Sequence, residues 1–129
     1  MAWRLSAALL FLCWASCSAQ HMNAPGNPCQ NAGVDAQMSA CFAHATADAN
    51  RKLNLTYERL HKGLDPDNFN ELRAAQRIWL QFRDANCNAE SNLYKGGSAA
   101  PMVYSACMES LTRHREQDLH VMYDWMLEK

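Results

Sequence analysis

Apolar residues recur at three- and four-residue spacing along three long stretches of the chain, as expected of helices that each bury one face. In the first stretch Met38, Phe42, Ala45, Ala49, Leu53, Tyr57, Leu60 and Leu64 form a narrow stripe. Asp35 stands where a cap would start this helix, which should run to about Lys62. Gly63 and the run Asp65-Pro66-Asp67-Asn68 then supply turn chemistry. A second helix is expected from about Phe69 or Glu71 to Leu93, with Leu72, Ala75, Trp79, Phe82, Asn86 and Leu93 inward and Gln76 and Arg83 on the border of that stripe. Lys95-Gly96-Gly97-Ser98-Ala99-Ala100-Pro101 ends it, the paired glycines suiting an open turn and Pro101 a first helical position. The third helix should run from Pro101 to about Met126 with Tyr104, Cys107, Met108, Leu111, Arg115, Asp118, Met122 and Trp125 inward. The charges of Arg115 and Asp118 on that face require partners. Three amphipathic helices with short connections predict an all-α fold, a small three-helix up-down-up bundle.

The first residues read differently. Met1 to Arg4 carries one positive charge, Leu5 to Trp14 is apolar but too short to span a bilayer, and Cys17-Ser18-Ala19 offers small residues for cleavage. Residues 1–19 are therefore read as a secretory signal peptide, 20–33 as an irregular Asn-, Pro- and Gly-rich leader, and 34–127 as the helical domain. A lipid anchor on Cys17 would follow Trp14-Ala15-Ser16, and Trp14 suits a lipid-attachment box badly. A soluble periplasmic or secreted product is the expectation, with no transmembrane helix. The chain has 129 residues, and about 110 remain after cleavage, enough for one domain with one core. Without Arg4 the balance is 11 basic against 13 acidic residues, a net charge of −2. There is no basic stripe of the kind that tracks a phosphate backbone, which argues against nucleic acid as a partner.

Cysteine placement carries more. Cys13 and Cys17 leave with the signal, and Cys29, Cys41, Cys87 and Cys107 remain. Four thiols in a small exported domain imply two disulfides, with three possible pairings. The absence of any C-x-x-C half-site argues against zinc. In an up-down-up bundle Cys87, near the end of the second helix, faces Cys107, near the start of the third. Cys41 lies to the side of its helix's stripe, where it would hold a passing strap, and the strap available is the leader carrying Cys29. The expected pairs are Cys29 with Cys41 and Cys87 with Cys107. The same register sets Arg83 near the level of Asp48 and Ala49, and Trp79 near Arg115. Arg83 is expected to pair with Asp48, or with Asp118 if the helices are rotated, while Arg115 lies against Trp79. Asp48, Trp79, Arg83, Arg115 and Asp118 would together form a structural polar network.

The order Cys29, Cys41, Asp48, Leu53-Asn54 and Tyr57, then Ala75-Gln76-Arg77 with Trp79, Arg83-Asp84-Ala85 and Cys87, then Gly96-Gly97-Ser98, Cys107, Leu111-Thr112, Arg115 and Leu119, resembles the LprI-type lysozyme inhibitor family. Its most specific segment is Gln76-Arg77-x-Trp79-x-x-x-Arg83-Asp84-Ala85-x-Cys87. The resemblance implies a bacterial exported helical domain with its cysteines in disulfides and lysozyme inhibition as the name-giving activity. Its shared positions fall inside the bundle or at its corners, as fold determinants do.

Nothing in the chain reads as a catalytic site. His44, His61, His114 and His120 show no metalloprotease spacing, and there is no nucleophile elbow or phosphate-cradling loop. Asp65 and Asp67 are explained by their turn. His21 would be third in a chain cut after Ser18, a Cu(II)-compatible position, but it is read as an unstructured histidine of the leader. No metal or cofactor is expected. A binding protein needs only a rigid surface, and the protruding turn at Lys95, Gly96, Gly97 and Ser98 offers an ammonium and a small hydroxyl. Lysozymes work with carboxylates in a cleft, so this turn is the candidate for contact with such a protein partner. The competing reading is a non-inhibitory envelope interaction module, an immunity or stress partner.

Overall fold

The computed structural model describes residues 21–33 and 35–127. The signal-peptide and Cys17 readings fall outside the described residues. Three helices follow a short 3-10 turn at His21–Asn23: α1 (Asp35–Gly63), α2 (Pro66–Asn92) and α3 (Ala100–Leu127). No strand is present among the described residues, and none of these helices is long and apolar enough to cross a membrane.

α2 starts earlier than its apolar pattern suggests. Asp65 caps it, accepting from the backbone N–H groups of Asp67 and Asn68 at 3.1 and 3.0 Å, and Pro66 takes the first helical position, where no N–H is needed. The run read as a turn is a cap. α1 closes at Gly63, where a Cβ would collide with Leu127, so the glycine lets the end of α3 come in close.

α3 is the central element: it packs along both α1 and α2, whose own backbones approach each other closely at few points. At the α1–α2 hinge, Leu53, Leu60, Leu64, Phe69, Leu72 and Leu119 form the largest apolar cluster. Phe69 is stacked on His61 at 4.2 Å and tilted against Tyr57 at 5.3 Å. Under the leader, Phe42, Met102 and Ala106 pack with Cys29. The third cluster joins Cys87, Cys107 and Met108.

Both disulfides are present, Cys29–Cys41 with Cα atoms 5.9 Å apart and Cys87–Cys107 at 5.4 Å. The leader between His21 and Gly33 is a chain of tight turns. Asn27 Nδ2 donates to the Met22 carbonyl, Cys29 N–H donates to Asn27 Oδ1 at 2.7 Å, and Gly26 has a φ of 77° that favours glycine.

The α1 stripe stands as read: Phe42, Ala49, Leu53, Leu60 and Leu64 are buried, with Met38, Ala45 and Tyr57 partly so. On α2 the inward face is turned by one residue from the sequence reading. Phe69, Leu72, Gln76, Arg83 and Cys87 are buried, whereas Ala75 is exposed, Phe82 is 54% exposed and Leu93 79%. Position 87 must face Cys107, and 83 and 76 lie one and three turns back along that same line. α3 differs too. Asp118, Met122 and Trp125 are exposed, while Val103, Ala106, Glu109, Ser110, Thr112 and Leu119 are buried. A helix covered by two neighbours and a strap has no single inward stripe.

Each disulfide closes a loop for which the chain-entropy model gives about 3 kcal/mol. Replacing Cys87 and Cys107 together by Ser should lower unfolding free energy in urea by about that amount, and the same exchange at Cys29 and Cys41 should free the leader to proteolysis first.

Candidate functional site

The polar seam of the bundle is built on Arg83, 9% exposed. Its Nε and Nη2 lie 3.0 and 2.9 Å from Asp84 Oδ1, and its Nη1 donates to Asn50 Oδ1 at 3.2 Å and to Thr112 Oγ1 at 3.3 Å. One guanidinium on α2 thus ties α1 and α3 together. The expected pair with Asp48 does not form. Asp48 is on the outer side of α1, in an exposed ion pair with Arg51 at 3.1 Å. Asp118 does not pair with Arg83 either. The partners are a neighbour along α2 and two uncharged side chains, because position 83 reaches the α1–α3 seam from the α2 side whereas Asp48 lines a different α1–α3 groove, beside Glu109, Arg113 and Glu116.

Trp79 lies between two cations, the Arg83 and Arg115 guanidinium carbons being 5.3 and 5.8 Å from its ring centroid, within cation–π range. Arg115 Nε donates to Gln76 Oε1 at 3.0 Å. Burial pushes the Arg115 pKa down, and the nearby Asp118 carboxylate opposes that shift.

A second seam joins α1 to α3. His120 lies between two carboxylates of its own helix, Nε2 at 2.7 Å from Glu116 Oε1 and Nδ1 at 2.8 Å from Asp124 Oδ2. α1 answers with Thr56, whose hydroxyl donates to Glu116 Oε1 at 3.0 Å, and Arg59, whose Nη2 donates to Asp124 Oδ1 at 2.5 Å and lies 3.0 Å from His120 Nδ1. Hydrogen bonding to Asp124, with Glu116 adding to it, raises the His120 pKa above its ordinary 6.5. Bonding to His120 and Arg59 lowers that of Asp124 below 3.8. The i, i+4 spacing of Glu116, His120 and Asp124 is the local sequence signal of this cluster, although it matches no metal motif.

His21 is held rather than loose. Its backbone N–H donates to Glu90 Oε1 at 3.1 Å and its Nδ1 meets Glu90 Oε2 at 2.5 Å. Contact across 69 residues leaves no local signal. His21, Glu90 and Cys107 offer ligand atoms within 4.8 Å of one another, but Cys107 is bonded to Cys87 and has no thiolate to give.

The Lys95–Ser98 turn is solvent-exposed throughout. Gly96 has a φ of 88°, Gly97 N–H donates to the Tyr94 carbonyl at 2.9 Å, and Ser91 Oγ donates to the Ala100 carbonyl at 2.9 Å across the base. The Cys87–Cys107 bridge lies below it. No ion pair engages Lys95 among the described residues.

Two outcomes check the seams. Arg83→Met should destabilise by about 1–3 kcal/mol in denaturant, because Thr112 and Asn50 lose a buried donor, and Arg83→Lys should not restore the loss, because an ammonium cannot span the same partners. The α1–α3 seam should depend on pH. The His120 contribution is complete below the unfolded pKa and is lost as pH rises through the raised folded value, whereas that of Asp124 is complete above its unfolded pKa and is lost as pH falls through the lowered one. The stability difference between the native chain and His120→Gln should therefore be largest near about pH 5 and shrink toward alkaline pH, as measured by thermal unfolding across a pH series.

A family model described as "Lysozyme inhibitor LprI" matches residues 27–119. A protein of Rhizobium meliloti (strain 1021) named "Uncharacterized protein R02472" is 28% identical over 125 residues, covering 87% of this chain and 88% of that one. No solved structure matches.

Proposed function

The chain belongs to the LprI lysozyme-inhibitor family, and from that premise we propose that it is an exported bacterial protein that binds and inhibits a lysozyme or similar muramidase. The match over residues 27–119 carries the reading, since it spans the bridged helical unit from the leader to Leu119. The disulfides agree with an oxidising compartment outside the cytoplasm, and residues 1–19 read as a cleaved signal peptide rather than a lipid anchor.

Inhibition asks for a surface rather than for chemistry. The contact we assign is the Lys95-Gly96-Gly97-Ser98 turn. Lys95 would bring an uncompensated ammonium to a cleft that works through carboxylates. The turn is held at its base by Ser91 and Ala100 and anchored by the Cys87–Cys107 bridge, so little freedom is lost on docking.

The test is a lysis assay with purified oxidised protein against c-type, g-type and bacterial muramidases. At least one should be inhibited through a one-to-one complex, and reduction should weaken the effect. Lys95→Ala combined with Ser98→Ala should raise the inhibitory concentration by about tenfold, as expected on losing a charged contact. Unchanged inhibition by the double variant would remove the turn as the contact. No inhibition across the panel, with capture of a different exported protein, would favour the non-inhibitory interaction module instead.

A further inference from the structure

Between α1 and α2 the structure leaves an open groove of about 290 Å³ whose lining contains three arginines and no carboxylate. Leu80 and Tyr57 supply apolar surface over the buried Leu53, and Arg73 and Arg77 stand one turn apart on α2. These two cations repel each other, yet neither has a carboxylate within ion-pair distance among the described residues. Among the described residues Arg73 donates to Asn70 Oδ1 alone, at 3.0 Å. Arg77 has no hydrogen bond or ion pair among the described residues.

The amides that share the lining add to this polarity. A guanidinium has donors and no acceptor. Because Arg83 Nη1 donates to Asn50 and Arg115 Nε donates to Gln76, the carboxamide oxygens of Asn50 and Gln76 must face those arginines. Each of these oxygens keeps a second lone pair, so the contacts spend one acceptor position of each amide on an arginine and leave its NH2 unclaimed by them. The groove is thus rich in donors and carries the charge of Arg73 and Arg77 with no carboxylate in its lining, in a chain whose overall charge is −1.

Arg77 is also set apart within its own segment. Gln76 holds Arg115, Trp79 lies against Arg83 and Arg115, Arg83 joins the three helices, and Cys87 forms the bridge. Each has a structural task, whereas Arg77 has no such partner among the described residues.

We propose that this groove binds a small carboxylate-bearing molecule about the size of a hexose acid or a dipeptide, its carboxylate between Arg73 and Arg77 and its apolar surface over Tyr57 and Leu80. Guanidinium forks match a carboxylate in geometry as well as charge. The same chemistry is offered by an acidic sugar and by a peptide C-terminus. The site does not rest on lysozyme inhibition and stands or falls separately from it.

The experiment is a titration of the ¹⁵N-labelled, oxidised protein, followed by NMR, with glucuronic acid and with N-acetyl-alanyl-alanine, each beside its uncharged methyl ester. At least one acid should shift the amides around Asn50, Gln76 and Arg77 saturably, and its ester should bind about tenfold more weakly or not at all. The acid that saturates at lower concentration identifies the source. Arg77→Gln should weaken binding by about tenfold with an unchanged melting midpoint, since Arg77 is exposed, and Arg73→Gln should act in the same direction. Absence of shifts with both acids, equal binding of acid and ester, or native affinity in both arginine variants would overturn the proposal.

Discussion

The central constraint is that α3 must be covered from several sides by pieces whose own backbones seldom approach one another. α1 and α2 each lie along it but meet little along their length, and the leader crosses it as a strap. The apolar interior is accordingly divided into a hinge cluster around Leu60, Leu72 and Leu119, a strap cluster around Phe42 and Met102, and a small cluster at Cys87–Cys107. No patch is large. Domains of this size total about 5–15 kcal/mol, so two bridges at about 3 kcal/mol each are a sizeable share. The remaining ties are polar and local: Arg83 across all three helices, Thr46 to the carbonyls of Phe42 and Ser105, and the His120 seam.

This division explains what the sequence showed and what it hid. Helix extents were legible because three-and-four spacing survives wherever a helix has one covered side, as on α1. The disulfide pairing was legible from Cys41 standing off that stripe and from Cys87 and Cys107 flanking one turn. The facing of α2 was not, because apolar character favours Phe82 and Leu93, while burial followed the line through Cys87, Arg83 and Gln76. A buried guanidinium is tolerable only where oxygens wait for it, and those oxygens belong to Asn50 and Thr112, on other helices. Hydrophobicity along one helix cannot see them. The charged pair assigned to Arg83 failed for the same reason: register placed Asp48 at the right height but not on the right side.

On α3 the difficulty was of another kind. Averaging its apolar residues gives one direction, but the helix is covered along its first half by the leader as well as by its two partners, so Val103, Ala106 and Ser110 are buried there. Farther on, Met122 and Trp125 are 48% and 58% exposed. Both bridges sit at the leader end, beside the Lys95–Ser98 turn, so the end of the bundle that presents the turn is also the end that is covalently cross-linked.

The two arginines that close the polar seams have a second consequence. Arg83 and Arg115 were needed to hold the helices, and each satisfied itself by taking the oxygen of a carboxamide. That commits one lone pair of each carboxamide oxygen of Asn50 and Gln76 to the interior and leaves their NH2 groups unclaimed by those arginines. A structural choice in the interior thus sets the polarity of the groove outside it, without any residue being committed to a ligand. Arg73 and Arg77 then add charge on the same side. Replacing an inner arginine would disturb both stability and groove polarity, whereas changing Arg77 touches only the second. The fold and the groove can therefore be separated by experiment although they share the same amides.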